Sequence, residues 1–212
     1  PKSLCVGEGD FSVVEGDEYH SAFYARVPKF TFYRPKTAII NAIEFDHADI
    51  YPKVDDVVEE FRKLINAVPD DGRVICCSDY PLVQKLIDEF KDKSICTLLT
   101  FGKSEACDYR LLERYQEGQK QRIRVGSKKL GELEITIPMM GEYNALNAIA
   151  TLAALVENGL SAEMVNRHLA HYKPVKRRQQ IRYDNKGVTL IEDFAHHPTA
   201  VEGTVNAVSE AY

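Results

Sequence analysis

An α/β fold with a mostly parallel sheet, an antiparallel extension and the start of a second domain is predicted by three features of the sequence. Short apolar runs alternate with amphipathic helical stretches between residues 37 and 101, the order that builds strand–helix–strand units around a parallel sheet. Between residues 108 and 137 the pattern changes to three strand-like runs separated by Gly118 and Gly131, as expected of antiparallel strands at the edge of that sheet. Beyond Pro174 a strand pair and a helix begin again, in a stretch too short to bury a core by itself. The expected domains are therefore 1–173 and 174–212.

The elements follow in order. The chain opens on Pro1 rather than a methionine, and the first expected strand, 11–14, comes almost at once, so it reads as an excised or truncated segment. Strands are expected at 29–33 and 37–40, separated by the Arg34-Pro35 break. Next comes an acidic helix over 54–67, in which Val54, Val57, Val58, Phe61, Leu64 and Ile65 keep the i, i+3, i+4 period of a buried face. Asp70-Asp71-Gly72 is a turn, 73–77 a short apolar strand, 82–90 a helix and 94–101 a strand.

Residues 141–157 make the strongest helix pattern in the chain. Leu146, Ile149, Ala150, Ala153 and Val156 form one apolar face and Leu152 and Leu155 another, so burial on two sides is expected. A shorter helix, 162–171, follows Gly159 and a Ser161 cap. After a basic linker containing Lys173, Lys176, Arg177, Arg178 and Arg182, strands 179–183 and 187–191 form a hairpin about Asp184-Asn185-Lys186-Gly187, and Pro198 opens a helix.

Composition excludes several classes. The 212 residues are 44% hydrophobic and 28% charged, ordinary for a globular protein. No apolar run approaches the roughly 20 residues needed to span a bilayer, and no signal-peptide pattern is present, so no membrane partner and a cytoplasmic location are expected. A net charge of −5 does not favour nucleic acid, and the basic cluster after Lys173 suits a bound polyphosphate better. The five cysteines, Cys5, Cys76, Cys77, Cys96 and Cys107, lack metal-ligand spacing, and their odd number argues against a disulfide framework. Cys76, Cys77 and Cys96 read as small core residues in strands. No residue pattern specifies an oligomeric state.

The chemistry concentrates in residues 43–51, Ile-Glu-Phe-Asp-His-Ala-Asp-Ile-Tyr. They follow the strand at 37–40, so Asp46 and His47 stand past the C-terminal end of a buried strand, where open parallel sheets bind ligands. Glu15, Asp17 and Glu18 follow the strand expected at 11–14. Carboxylates with one imidazole suit Mg²⁺ or Mn²⁺ better than structural zinc. Gly102-Lys103-Ser104 imitates the end of a phosphate-binding loop, but Thr97 replaces the required glycine and no amphipathic helix follows.

These runs, Val14-Glu15-Gly16-Asp17-Glu18-Tyr19 and Glu44-Phe45-Asp46-His47-Ala48-Asp49, resemble the central domain of the Mur ligases, ATP-dependent amide-forming enzymes of peptidoglycan synthesis. The resemblance continues to the last residue and implies a central ATPase domain without its P-loop portion, then the start of a Rossmann-like C-terminal domain that binds the amino substrate. It implies ATP and Mg²⁺, with Glu15 and His47 at the metal and Asp46 orienting His47 or the attacking amine. Asn144 and Asn147 match the helix-start motif that recognises adenine, with Tyr143 where histidine is common. Arg178 matches an arginine that reaches ATP phosphate. Within Glu192-Asp193-Phe194-Ala195-His196-His197-Pro198-Thr199, Asp193 matches an aspartate at the ribose and His196 an active-site histidine.

There are departures. Ala42 stands where many members of the family carry an asparagine, with Asn41 one step earlier, and Lys63 lacks the context of the carbamoylated lysine that some members use. Within the family the longer runs are most similar to the branch that joins L-alanyl-γ-D-glutamyl-meso-diaminopimelate to UDP-N-acetylmuramate in murein recycling. The branch that uses L-alanine is the alternative, and a non-catalytic nucleotide-binding scaffold is a third reading. Without a P-loop the isolated chain is expected to be inactive.

Overall fold

A computed structural model of the protein describes residues 7–21, 25–46, 48–93 and 96–212. Six strands form one sheet in the order β1 to β6: β1 (Thr37–Ile40), β2 (Arg73–Cys77), β3 (Thr97–Gly102), β4 (Tyr109–Glu117), β5 (Lys120–Ser127) and β6 (Gly131–Ile137). Strands β1 to β4 pair in parallel, and β4 to β6 pair antiparallel. No helix lies between β3 and β4, which pair in parallel at Phe101–Tyr109 and Gly102–Arg110, so the direction changes one strand after the helices stop and the antiparallel part expected from the sequence begins at the β4–β5 pair. Helices α1 (Val54–Ala67) and α2 (Pro81–Phe90) connect the parallel strands; α3 (Glu142–Glu157) and α4 (Ala162–Leu169) follow the sheet. The observed bounds of α1 and β2 coincide with the expected ones.

The core has two halves, one on each face of the sheet. In β2, Val74 and Cys76 point towards Val57, Val58, Phe61, Val83 and Leu86 of α1 and α2. Ile75 and Cys77 point the other way, towards Ile149, Leu152 and Ala153 of α3. The two-residue alternation of a strand therefore supplies both cores, which is why β2 reads as a continuous apolar run. Each large aliphatic side chain buried here contributes about 1.5–3 kcal/mol. Helix α3 lies between the sheet and α4, and is buried on two sides as its sequence predicts. Cys107 is also buried, whereas Cys96 is half-buried just before β3.

Local chemistry sets the ends of these elements. The Asp56 carboxylate accepts the Lys53 N–H at 2.9 Å, and acidic residues in the first turn suit the positive end of α1. Pro81 opens α2, where its missing N–H costs nothing. The Ser161 hydroxyl accepts the Met164 N–H at 3.2 Å and caps α4. From α4, the Asn166 amide accepts the Thr136 N–H at 3.0 Å and donates to the Glu134 carbonyl at 3.1 Å. That bridge satisfies part of the open edge of β6.

Two expected strands are not formed. Residues 11–14 have no regular structure, and Val13 is 94% exposed; β-branched residues make a strand only where a neighbouring strand accepts them. Residues Lys29–Phe32 form a 3₁₀ turn. It buries Phe30 against Phe61 at 5.7 Å between ring centroids and leaves Phe32 exposed, so only one of the alternating aromatics has a pocket.

Beyond Pro174, β7 (Gln180–Asn185) and β8 (Val188–Glu192) form a separate two-stranded sheet, and α5 (Pro198–Ala211) ends the chain. Lys186 and Gly187 carry φ of +52° and +76°, the left-handed pair of a tight two-residue hairpin turn. Helix α5 packs back on α3 and β4, burying Ala207.

Candidate functional site

The C-terminal ends of the parallel strands, the start of α3 and the segment that leads into α5 enclose a cavity of about 1020 Å³. Its position follows from the sheet: parallel strands end together on one edge, and the loops beyond them diverge to leave a crevice. Ala42, Glu44 and Asp46, from the loop after β1, line one end together with Glu18 and Tyr80. Tyr143, Asn144 and Asn147 of α3 line the cavity, as do Arg178, Asp193 and His196 of the later segment.

Of the expected site residues, the fold brings Asp46, Asn144, Asn147, Arg178, Asp193 and His196 to this cavity. His47 lies outside the described residues. Glu15 is exposed and does not line the cavity, whereas Glu18, from the same acidic cluster, does. Asp17 is engaged elsewhere, in an ion pair with Lys29 at 2.9 Å. Among the described residues, no three His, Cys, Asp or Glu side chains form a group that could hold a metal ion. The donor chemistry nevertheless fits Mg²⁺, which takes one or two carboxylates and completes its shell with water and phosphate oxygens. Glu18, Glu44 and Asp46 supply carboxylates of that kind.

The two asparagines of α3 differ in kind. Asn144 is 5% exposed, and its Nδ2 donates to the Met140 carbonyl at 2.8 Å and to Gln179 Oε1 at 3.3 Å. Its donor side is therefore engaged inside the protein. Asn147 is exposed, and its Oδ1 accepts from Asn41 Nδ2 at 3.1 Å, which leaves its own NH₂ facing outwards. The asparagine displaced by one position in the sequence thus meets Asn147. Burial raises the pKa of the neighbouring Tyr143 phenol.

In the later segment Asp193 organises its own loop, accepting the Gln179 N–H with Oδ2 and the Ala195 N–H with Oδ1, each at 2.8 Å. The Arg177 guanidinium lies 4.6 Å from the centre of the Phe194 ring and that of Arg178 5.8 Å, a contact worth about 0.5–1 kcal/mol at exposed sites. His196 packs edge-on against the same ring at 5.3 Å, with Nδ1 3.0 Å from the Phe194 carbonyl. His197 Nδ1 lies 3.1 Å from Glu44 Oε2, and both residues line the cavity.

Several contributors were missed in the sequence. Glu44 and His197 sit in the quoted motifs, but nothing in either motif pairs them. Gln179 and the Arg114–Glu210 pair left no motif signal at all. The Gly102-Lys103-Ser104 turn binds within the protein: Asp79 accepts the Lys103 N–H at 2.9 Å, and Lys103 Nζ reaches Glu142 at 2.8 Å. Lys63 pairs with Glu60 at 2.8 Å.

A family model described as the Mur ligase middle domain matches residues 2–155. The chain belongs to the Mur ligase family. Among curated proteins, UDP-N-acetylmuramate–L-alanine ligase of Pelodictyon phaeoclathratiforme is 35% identical over 99% of this Mur ligase chain and 42% of its own length. Among solved structures, UDP-N-acetylmuramate:L-alanyl-γ-D-glutamyl-meso-diaminopimelate ligase from Neisseria meningitides is 29% identical, with a TM-score of 0.66 over 77% of this chain and 48% of that one. MurF from Acinetobacter baumannii, 18% identical, shares the fold with a TM-score of 0.74 over 85% of this chain and 39% of its own. The chain spans 42% to 43% of the length of the first curated relatives it matches. No helix among the described residues is long and apolar enough to cross a membrane.

Proposed function

We propose that this Mur ligase chain is the nucleotide-handling middle of an enzyme that uses ATP to join an amine to the carboxylate of UDP-N-acetylmuramate in the cytoplasm. The observation that carries the reading is that one cavity is lined by the carboxylates of Glu18, Glu44 and Asp46, by Asn147 and by Arg178 with Asp193. Such a cleft places a base-recognising amide, a phosphate-binding guanidinium and oxygen donors within reach of one nucleoside triphosphate. Residues 1–173 would form the ATP-binding domain and 174–212 the beginning of the amino-substrate domain.

The reaction has two steps. The carboxylate attacks the γ-phosphorus of ATP, giving an acyl phosphate and ADP. The amine nitrogen then attacks the acyl carbon, phosphate leaves, and an amide forms as the nitrogen loses a proton. The Arg178 guanidinium binds the transferring phosphoryl group in a planar, two-pronged fashion that lysine cannot reproduce. Asn147 donates from its outward NH₂ to a ring nitrogen of the base. Asp193 accepts from the ribose with the lone pairs that its loop leaves over, and Asp46 and His196 orient the reacting groups.

Bound Mg²⁺ would neutralise phosphate charge. The expected ligands are Glu15 and His47, and the lining of the cavity favours Glu18 as the carboxylate from the first cluster. Asn144 serves the fold, and Asn147 carries the base contact. The 212 residues contain no Gly-rich P-loop, so this chain alone is expected not to turn over.

For the amine, the run Glu44-Phe45-Asp46-His47-Ala48-Asp49-Ile50-Tyr51 favours the tripeptide L-alanyl-γ-D-glutamyl-meso-diaminopimelate, as used in murein recycling. The curated relatives at 34% to 35% identity favour L-alanine instead. The two readings share UDP-N-acetylmuramate as the acid. Phosphate release by the complete open reading frame, with ATP, Mg²⁺ and UDP-N-acetylmuramate, tests them. Release that requires the tripeptide supports the first, and release with L-alanine supports the second. No release with either amine leaves a non-catalytic nucleotide-binding module and overturns the ligase reading.

A further inference from the structure

One buried amide ties the chain beyond Pro174 to the sheet domain. Gln179 is 7% exposed and has φ of +48°. Its Oε1 accepts the Met140 N–H at 3.0 Å and Asn144 Nδ2 at 3.3 Å. Its Nε2 donates to the Met140 carbonyl at 3.0 Å and to the Tyr143 hydroxyl at 2.6 Å. The Met140 N–H can face only an acceptor, which fixes the orientation of the amide. Two donors and two acceptor sites are all that a glutamine amide has, and this one uses every one of them on the residues that begin α3.

The backbone of the same residue belongs to the opposite wall. The Gln179 N–H donates to Asp193 Oδ2 at 2.8 Å, and the residue before it is Arg178. Tyr143 in turn lies under α5: a Cβ on Gly203 would come within 3.3 Å of its ring, and one on Gly141 within 2.5 Å of Ala207. A buried amide that lost half its partners would be left with unpaired polar atoms, so the contact tends to be wholly made or wholly broken.

We infer that Gln179 is a positioning residue that couples the start of α3 to the Arg178–Asp193 loop, holding the two walls of the cavity in register. Only the identification of the ligand as ATP rests on the proposed function; the coupling stands on the hydrogen bonds.

Amide hydrogen exchange on the 212-residue chain, resolved residue by residue, tests this. Gln179→Asn keeps an amide and tolerates the left-handed backbone but is one methylene short. Tyr143→Phe removes a single hydroxyl and serves as the milder variant. In Gln179→Asn the amides of Met140, Gln179 and Ala195 are expected to exchange about tenfold faster, with those of β5 unchanged. Tyr143→Phe is expected to move the same amides by less. Faster exchange at Met140 alone, or an equal rise throughout β5, overturns the coupling.

In the complete open reading frame, Gln179→Asn is expected to lower kcat/KM for ATP about tenfold at a temperature where the variant is still fully folded, as misplacement of an orienting group does. Wild-type kcat/KM in that variant overturns the positioning role. A wild-type protein that does not use ATP overturns the proposed function, and the exchange measurement still decides the coupling.

Discussion

At the scale of single residues, burial decides more than residue type. Cys76 and Cys77 were legible as core residues because they lie in a short apolar run bounded by turns, and both are buried. Burial pushes the Cys76 thiol up to about 12 and that of Cys77 to about 11. A thiol whose pKa is raised on folding contributes stability that is complete below its unfolded value, near 9, and is lost as the pH rises through the folded one. Urea midpoints are therefore expected to fall between about pH 9 and 12, and a Cys76→Ala variant should show a shallower fall. A midpoint flat up to pH 11 would contradict the burial of both thiols. The role of Asn144 was not legible in the same way. An asparagine at a helix start serves a ligand or the fold equally well by sequence, and only the Met140 carbonyl and Gln179 reveal where its donors go.

At the scale of elements, the hydrophobic period was read correctly wherever a neighbouring element covers the apolar face. Strands β5 and β6 alternate because one face meets α3, and Ile123 is fully buried there. Ile123→Ala is expected to cost roughly 2–5 kcal/mol in urea unfolding, the cost of a core cavity. The same change at Val13, in the stretch that resembles a strand and is not one, should stay within about 0.5 kcal/mol. Equal costs at both sites would mean that residues 11–14 are packed after all. The failures at 11–14 and 29–33 share a cause. An alternating apolar pattern states what a segment would bury as a strand, but not whether a neighbouring strand is there to receive it.

At the scale of the whole molecule, what matters is how the segment beyond Pro174 returns to the sheet. Arg114 on β4 grips Glu210 on α5 through two bonds of 2.7 Å. The glutamate raises the pKa of that guanidinium and the arginine lowers that of the carboxyl. Because Glu210 is partly exposed, Arg114→Ala is expected to loosen α5 by about 1 kcal/mol or less. Amide exchange in α5 would show this, and the difference between wild type and variant should shrink in about 1 M salt, where screening reaches within roughly 3 Å. A salt-independent difference would point to lost packing of the arginine stem instead. The sequence by itself determined the α/β class, the order of most elements, the antiparallel extension and the family, because period, turn residues and motif spacing are local properties of a chain. It also singled out Asp46, Asn144, Asn147, Arg178, Asp193 and His196, which line the cavity. Only the tertiary structure decided that Glu18 and not Glu15 lines that cavity, that Asn41 meets Asn147, and that Gln179 joins its two walls. Those contacts bring together residues up to more than a hundred positions apart, and their geometry is fixed by how helices and loops pack over the sheet edge rather than by any neighbour in the chain.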